Sequence, residues 1–192
     1  MSLLKLLLSF APWIAFMFIS GPGMFRLKLG IVVAALLVII MAVTKLHRGV
    51  ILWAGVIFFS YAIIAVVLFN DMWAVNNMGM LSHGALALGT WFSVAIGRPF
   101  TMDYAKQHTD PALWNNPVFL RTNYIITSAW GIVFTAGVLL AWLRTFIHNI
   151  PHWQWETLQY TLMLITMLFT NWYPAYIRKR RAEQSCACKI DQ

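Results

Sequence analysis

The chain has 192 residues, of which 60% are hydrophobic and 10% charged, and its formal net charge is +8. Soluble domains carry about 25% charged residues, whereas apolar runs long enough to cross a bilayer core of about 30 Å recur here along the whole chain. These values predict one integral membrane domain, with no room for a separate soluble domain in the 192 residues. Because Lys and Arg cluster between the apolar runs, as membrane topology requires, the positive charge does not indicate nucleic-acid binding.

The apolar runs predict an all-α fold, a polytopic membrane helix bundle of about six transmembrane helices. The predicted helices cover Leu3–Ile19, Leu27–Val43, Gly49–Phe69, Met78–Gly97, Asn123–Leu143 and Glu156–Tyr176. Pro12 predicts a kink in the first helix, because proline removes a helical hydrogen bond. Met72–Asn77 is predicted to be a short loop. Residues 1–181 then form one transmembrane domain.

The distribution of basic residues predicts the orientation of the bundle. Eleven of them fall on the side that holds both termini, namely Lys5, Lys45, Arg48, Arg98, Lys106, Arg121, Arg178, Lys179, Arg180, Arg181 and Lys189. Three, Arg26, Lys28 and Arg144, fall on the opposite side. The positive-inside rule therefore predicts cytosolic termini. Residues 182–192 would be a short cytosolic tail, where Cys186 and Cys188 are expected to be free thiols.

The longest polar run, Arg98–Asn123, is predicted to be the one substantial cytosolic connection. Asp110-Pro111 and Asn116-Pro117 each pair a capping residue with proline. The pair Asp110-Pro111 predicts a short helical turn after it, and the pair Asn116-Pro117 predicts the approach to the fifth helix. The ionisable side chains of this run are Arg98, Asp103, Tyr104, Lys106, His108, Asp110 and Arg121. They are candidates for binding a lipid phosphate or the soluble domain of a partner. Alternatively, they form a solvated loop whose charges set the topology.

No Asp, Glu, Lys or Arg lies deep in a predicted span, which argues against proton-coupled or cation-coupled transport. His83 is the one clearly intramembrane ionisable residue, and His148 and His152 lie on the same, non-cytosolic side. Three imidazoles there are a candidate site for zinc, copper, iron or haem. Pro151 argues against a regular helix through the last two. The alternative is a neutral His83 bonded to a neighbouring helix and two interfacial histidines.

Ordered landmarks between Lys45 and Trp142 resemble the intracellular septation protein A family of bacterial inner-membrane proteins. These landmarks are Lys45-Leu46-His47-Arg48, Phe69-Asn70-Asp71-Met72-Trp73, Arg98-Pro99-Phe100, Trp114, Asn123, Trp130 and Phe134. The polar run between residues 100 and 111, the first hairpin and the cysteine tail depart from the family pattern. The resemblance implies a place in the bacterial inner membrane and a role in cell-envelope synthesis and division through protein partners. It supplies no catalytic residues.

Three functions remain open from the sequence. The first is protein or lipid interaction in cell-envelope organisation, with the Arg98–Asn123 connection as docking surface and envelope or division proteins, or a second copy of the chain, as partners. The second is a carrier or channel for a small solute or a lipid, which the Gly-rich fourth helix and intramembrane aromatic residues indicate. The third is a haem- or metal-dependent redox protein. Catalysis is left open, since no nucleophile-base pair, phosphate-binding loop or dinucleotide fingerprint occurs.

Overall fold

The computed structural model describes residues 8, 10–21, 23–44, 49–107, 109–147 and 149–190, without the side chains of residues 152, 182 and 184–190. This part of the chain is helical and contains no strand. The α-helices are α1 (Ala11–Ile19), α2 (Met24–Val43), α3 (Val50–Ala62), α4 (Met72–Asn76), α5 (Met78–Ala95), α6 (Phe100–Lys106), α7 (Pro117–Leu143) and α8 (His152–Ile190). A π-helical segment, Ile63–Leu68, continues α3, and a 3-10 turn, Pro111–Leu113, precedes α7.

Three helical stretches are long and apolar enough to cross a membrane: α2, α3 with its π-helical continuation, and α7. A fourth is present if α5 and α6, which meet at a bend of 72°, form one broken span. The all-α prediction is confirmed, and three to four of the predicted spans are supported. Helices α1 and α8 are not among these apolar stretches. The described part of α1 has only 9 residues, and α8 carries polar side chains along its length.

The predicted kink at Pro12 concerns a helix whose first half lies largely outside the described residues. Pro12 lies in the first turn of α1, where proline costs no helical hydrogen bond, and residues 1–7 and 9 are not described, so the kink stays a prediction. Met72–Asn76 is a short helix and not a loop. Asp71 starts it by accepting a hydrogen bond from the Trp73 backbone N–H at 2.9 Å, a capping interaction that the apolar pattern does not reveal.

The polar Arg98–Asn123 stretch contains helix α6, the 3-10 turn and the start of α7, so the alternative of a solvated loop is wrong for its α6 part. Within α6, Phe100, Thr101, Met102 and Tyr104 are buried. The Thr101 hydroxyl lies 2.8 Å from the Thr127 hydroxyl of α7 and donates to the Asn123 backbone carbonyl at 3.1 Å. α7 begins at Pro117, with the Asn116 side chain capping it. The α6 part of the stretch is therefore packed against the bundle, whereas residues 110–113 are exposed.

The last helix is longer than predicted at both ends. α8 begins at His152 and has 39 residues, with Pro174 inside it. The helix thus begins four residues before its predicted start at Glu156, and helical backbone continues through most of the predicted tail. The side chains of Cys186 and Cys188 lie outside the described part of the chain, so their predicted thiol state stays a prediction.

Helix α1 packs on α2, and aromatic side chains in and just before α1 also contact α3 and α7. Phe10, just before it, stacks on Trp130 of α7 with ring centroids 5.6 Å apart. One turn on, the Trp13 ring lies 5.1 Å from Phe58 of α3. The following helices pack in order, α2 on α3, α3 on α5, α5 on α7 and α7 on α8. The last pair is joined by a hydrogen bond of 3.0 Å from the Trp130 indole to the Thr170 hydroxyl.

Candidate functional site

A cavity of about 650 Å³ lies between α1, α5, α7 and α8. Its volume is within the range of about 300–1,000 Å³ that is usual for small-molecule sites. Most of its wall is apolar, and aromatic side chains from α1 and α7 form one part of it, among them Phe10, Trp13, Phe16 and Trp130. Met163 and Met167 of α8 form the facing part. The space is thus suited to a flexible hydrocarbon group, since Met side chains adapt to varied shapes.

One end of the cavity is polar. There the first turns of α5 contribute Ser82 and His83, the first turns of α8 contribute Trp155 and Gln159, and Ser20 follows the last residue of α1. The ends of three helices meet at this level, which explains why polar side chains from distant parts of the sequence converge. The cavity therefore has a polar end and an apolar body.

His83 is oriented by its own helix. Its Nδ1 lies 2.8 Å from the Gly79 backbone carbonyl, and since a carbonyl only accepts hydrogen bonds, Nδ1 is the donor. In the neutral ring Nε2 is then the acceptor. The alternative prediction is a neutral His83 that is hydrogen-bonded to a neighbouring helix. The partner predicted there is wrong, because this bond joins His83 to Gly79, one turn earlier in α5 itself.

Gln159 is the most unusual group of the site. Only 7% of the residue is exposed, yet neither its amide nitrogen nor its amide oxygen has a hydrogen-bond partner among the described residues. The Trp155 indole N–H and the Ser20 hydroxyl are also buried without a partner in that part of the chain. An unpaired buried polar group costs about 1–3 kcal/mol. Several of them in one cavity indicate a place where a polar ligand group is bound.

Gly137 of α7 makes room for this arrangement. A Cβ atom at residue 137 would lie 2.8 Å from Cγ of His83 and 3.0 Å from Nε2 of Gln159. Both are closer than side chains tolerate without moving. The absence of a side chain at Gly137 therefore lets His83 and Gln159 approach the same point of α7 from opposite helices.

The cavity is not enclosed on all sides, and residues of both α1 and α8 in its wall are exposed. They include Phe18 of α1, which is 73% exposed, and Leu164 of α8, which is 56% exposed. α8 packs mainly on α7, so its other face borders this opening. At the polar end, the exposed Arg144 and Glu156 form the mouth. The opening thus runs from a charged mouth along two apolar helix faces.

The predicted metal site is not assembled in the part of the chain that the structure describes. No group of three His, Cys, Asp or Glu side chains suited to a metal ion occurs there. His148 and the side chain of His152 lie outside that part, so the hypothesis that they join His83 around a metal or haem stays a prediction.

The predicted docking residues divide into two groups. Arg98, Asp103 and Arg121 are exposed. The Asp103 carboxylate interacts electrostatically with the positive charges of Lys106 and Arg98. The Lys106 ammonium lies 5.2 Å from the centroid of the Trp114 ring. Tyr104 is only 5% exposed, so its prediction as a surface contact is wrong, because the α6 face that carries it is packed inward. His108 lies outside the described residues.

Sequence reasoning missed Gln159, Trp155, Ser20 and Gly137. The search for intramembrane function looked for charged side chains, and Gln159 is uncharged. A signal was present, since Gln159 is an amide inside the apolar run Glu156–Tyr176, and polar side chains in such runs usually face the bundle interior. No sequence signal indicated that Gln159 would meet His83.

Comparisons of the chain with protein-family models, with curated proteins and with solved structures find no match. The resemblance to the septation protein A family therefore stays a prediction. The fold and the cavity define the chain as a helical membrane protein with an amphipathic internal cavity.

Proposed function

We propose that the protein binds a lipid-like amphiphile in the cavity between α1 and α8 and acts as a lipid carrier or lipid-handling protein. The observation that carries the proposal is Gln159, a buried amide that lines the cavity and has no partner among the described side chains. A ligand head group at that position would meet its hydrogen-bonding needs.

The shape of the cavity favours an amphiphile over a water-soluble solute. A solute that crosses the membrane needs polar groups along its path, whereas the wall beyond the polar end is formed by residues such as Phe16, Trp130 and Met163. A hydrocarbon chain is stabilised there by about 25 cal/mol for each Å² of apolar surface removed from water. The lateral opening beside Phe18 and Leu164 gives such a chain direct access from the bilayer.

The charge bias of the sequence supports an orientation for this site. The polar end is formed by the starts of α5 and α8 and by the connection after α1, all on the side with few basic residues. With cytosolic termini, the head group would lie at the non-cytosolic surface of a bacterial inner membrane. The protein would then take up or release its lipid at that leaflet.

Filling the cavity tests the proposal. Ala141 lines the cavity, whereas Leu139 of the same helix is exposed on the surface. We expect Ala141→Trp to remove most of the lipid that co-purifies in mild detergent, because the indole occupies the space of the ligand. Lipid extracted from the purified protein and quantified by mass spectrometry measures this.

Leu139→Trp is the matched control and should keep the lipid. The same pair can be reconstituted into vesicles with a fluorescent lipid, where only the parent and Leu139→Trp should bind the probe. Equal lipid content in the parent and the Ala141→Trp variant would contradict the proposal.

A second function, contact with envelope proteins, is favoured by the exposure of Arg98, Asp103 and Arg121 at the opposite end of the bundle. A mixed set of charges is suited to weak, specific protein contacts. This proposal requires that end to face the cytosol. Finding it accessible only from the outside would contradict the proposal.

A further inference from the structure

We infer that the head group of the bound amphiphile is uncharged and carries both a hydrogen-bond donor and an acceptor, as the hydroxyl and ester groups of an acylglycerol do. The inference rests on the proposed amphiphile site and names the class of ligand that the site takes.

The polar end offers donors and acceptors together. Gln159 presents an amide N–H₂ and an amide oxygen, and both are without partners among the described residues. The Trp155 indole N–H adds a donor, and the Ser20 hydroxyl either donates or accepts. In the neutral ring, Nε2 of His83 adds an acceptor, since Nδ1 donates to Gly79. A ligand that only accepts would leave the amide oxygen of Gln159 and the His83 nitrogen without donors.

The charge of the site argues against an anionic head group. Among the described residues that line the cavity, Arg144 is the one cation and Glu156 is the one carboxylate. Both are exposed, as is Arg26, whose guanidinium lies beside Gly21 of the lining, and none of the three is a hydrogen-bond partner of the buried amide. A buried phosphate would need cationic partners at its own depth, because an unpaired charge loses its hydration there. The inner polar groups supply none.

The position of the polar groups also favours a small head group. Gln159 and His83 meet over Gly137, while the aromatic residues Phe10 and Trp130 line the apolar body. A head group held between Gln159 and Trp155 places its chain toward these rings and toward the opening between α1 and α8. A glycerol with one or two hydroxyl groups fits this order of polar and apolar contacts.

Three probes with the same oleoyl chain test the inference: 1-oleoylglycerol, methyl oleate and 1-oleoylglycerol 3-phosphate. They differ in that the first donates and accepts, the second only accepts, and the third carries a phosphate. Binding to the purified full chain is measured by native mass spectrometry over a concentration series. We expect 1-oleoylglycerol to bind about tenfold more tightly than either of the others, which corresponds to one or two extra hydrogen bonds.

Substitution of the amide by a side chain of similar length provides the internal test. Gln159→Met should weaken 1-oleoylglycerol binding about five- to tenfold and leave methyl oleate binding within about twofold, because only the hydrogen bonds of the head group are lost. Gln154 lies on the same helix and is exposed, so Gln154→Met is the matched control and should change neither. Trp155→Phe, which removes the indole N–H and keeps an aromatic ring, provides a second variant in case Gln159→Met fails to fold.

The outcomes separate the inference from the function on which it rests. No binding of any probe overturns the proposed function as well. Equal binding of all three, unchanged in Gln159→Met and Trp155→Phe, supports an amphiphile site and overturns the inferred head group. Preferred binding of the phosphate, weakened by Arg144→Gln, overturns the inference in favour of an anionic lipid. A preference for 1-oleoylglycerol that both variants retain also overturns it, because the named residues would not recognise the head group.

Discussion

At the scale of single residues, Gly137 decides whether the polar end of the cavity can form. Its Cα faces the His83 ring and the Gln159 amide, with no space for a Cβ. We expect Gly137→Ala to destabilise the protein by about 1–3 kcal/mol, because an added methyl group in a packed site forces its neighbours to move. Unfolding in detergent, followed by circular dichroism, measures the change. The same substitution should lower the amount of bound amphiphile, since it displaces both polar side chains.

Gly84 offers a matched control for this substitution. It also lies in a helix, but nothing is within 4 Å of the position where its Cβ would be. Gly84→Ala is therefore expected to leave stability unchanged or to raise it by about 0.5–1 kcal/mol, because alanine favours the helix over the unfolded chain. If Gly84→Ala and Gly137→Ala change the unfolding free energy equally, crowding by neighbouring side chains does not exclude a side chain at residue 137.

At the scale of elements, α6 shows how a polar stretch is held inside the bundle. Its Thr101 is fully buried, and its hydroxyl contacts the Thr127 hydroxyl at 2.8 Å and the Asn123 side-chain oxygen at 3.2 Å. The Phe100 N–H at the start of α6 donates to the Ser93 hydroxyl of α5 at 3.2 Å. These bonds join α6 to α5 across the bend and to α7 beside it, where water is scarce and each polar group needs a protein partner.

Thr101→Val tests the docking of α6, because valine keeps the shape and removes the hydroxyl. We expect a loss of about 1–3 kcal/mol in unfolding free energy in detergent, since buried partners on α7 lose a hydrogen bond. Thr145→Val is the control, because the Thr145 hydroxyl donates to the Trp142 carbonyl on the exposed end of α7. A Thr101→Val variant as stable as Thr145→Val would show that α6 is not held by this network.

At the scale of the whole molecule, the orientation in the membrane determines which leaflet the cavity serves. Asn115 and Thr145 are exposed residues at opposite ends of α7, and each can carry a single cysteine after Cys186 and Cys188 are replaced by serine. We expect an impermeant maleimide to label Thr145→Cys in intact cells and Asn115→Cys only after permeabilisation. The reason is that the eleven basic residues on the termini side favour the cytosol.

Labelling in the reverse order would place the polar end of the cavity at the cytosolic surface. The amphiphile site would then serve the inner leaflet, and the exposed charges at Arg98 and Arg121 would face outward. That result would contradict the proposed contact with cytosolic partners and leave the cavity itself unchanged.

The sequence by itself determined the helical class and the approximate positions of three to four apolar spans. Runs such as Met24–Val43 are long and apolar enough to cross a bilayer, so their composition alone predicts a membrane helix. The capping pair Asp110-Pro111 likewise predicted a helical turn that the structure confirms at Pro111–Leu113, because a cap acts through residues adjacent in the chain.

Only the tertiary structure decided which polar residues are buried together. Gln159 and His83 are 76 positions apart in the printed sequence, and their meeting over Gly137 depends on how α5, α7 and α8 pack. Thr101 and Tyr104 lie in a polar stretch, yet contacts with α7 and the bundle core bury them. Hydropathy reports how a segment prefers to be solvated, whereas burial of a particular polar side chain depends on the partners that distant helices bring to it.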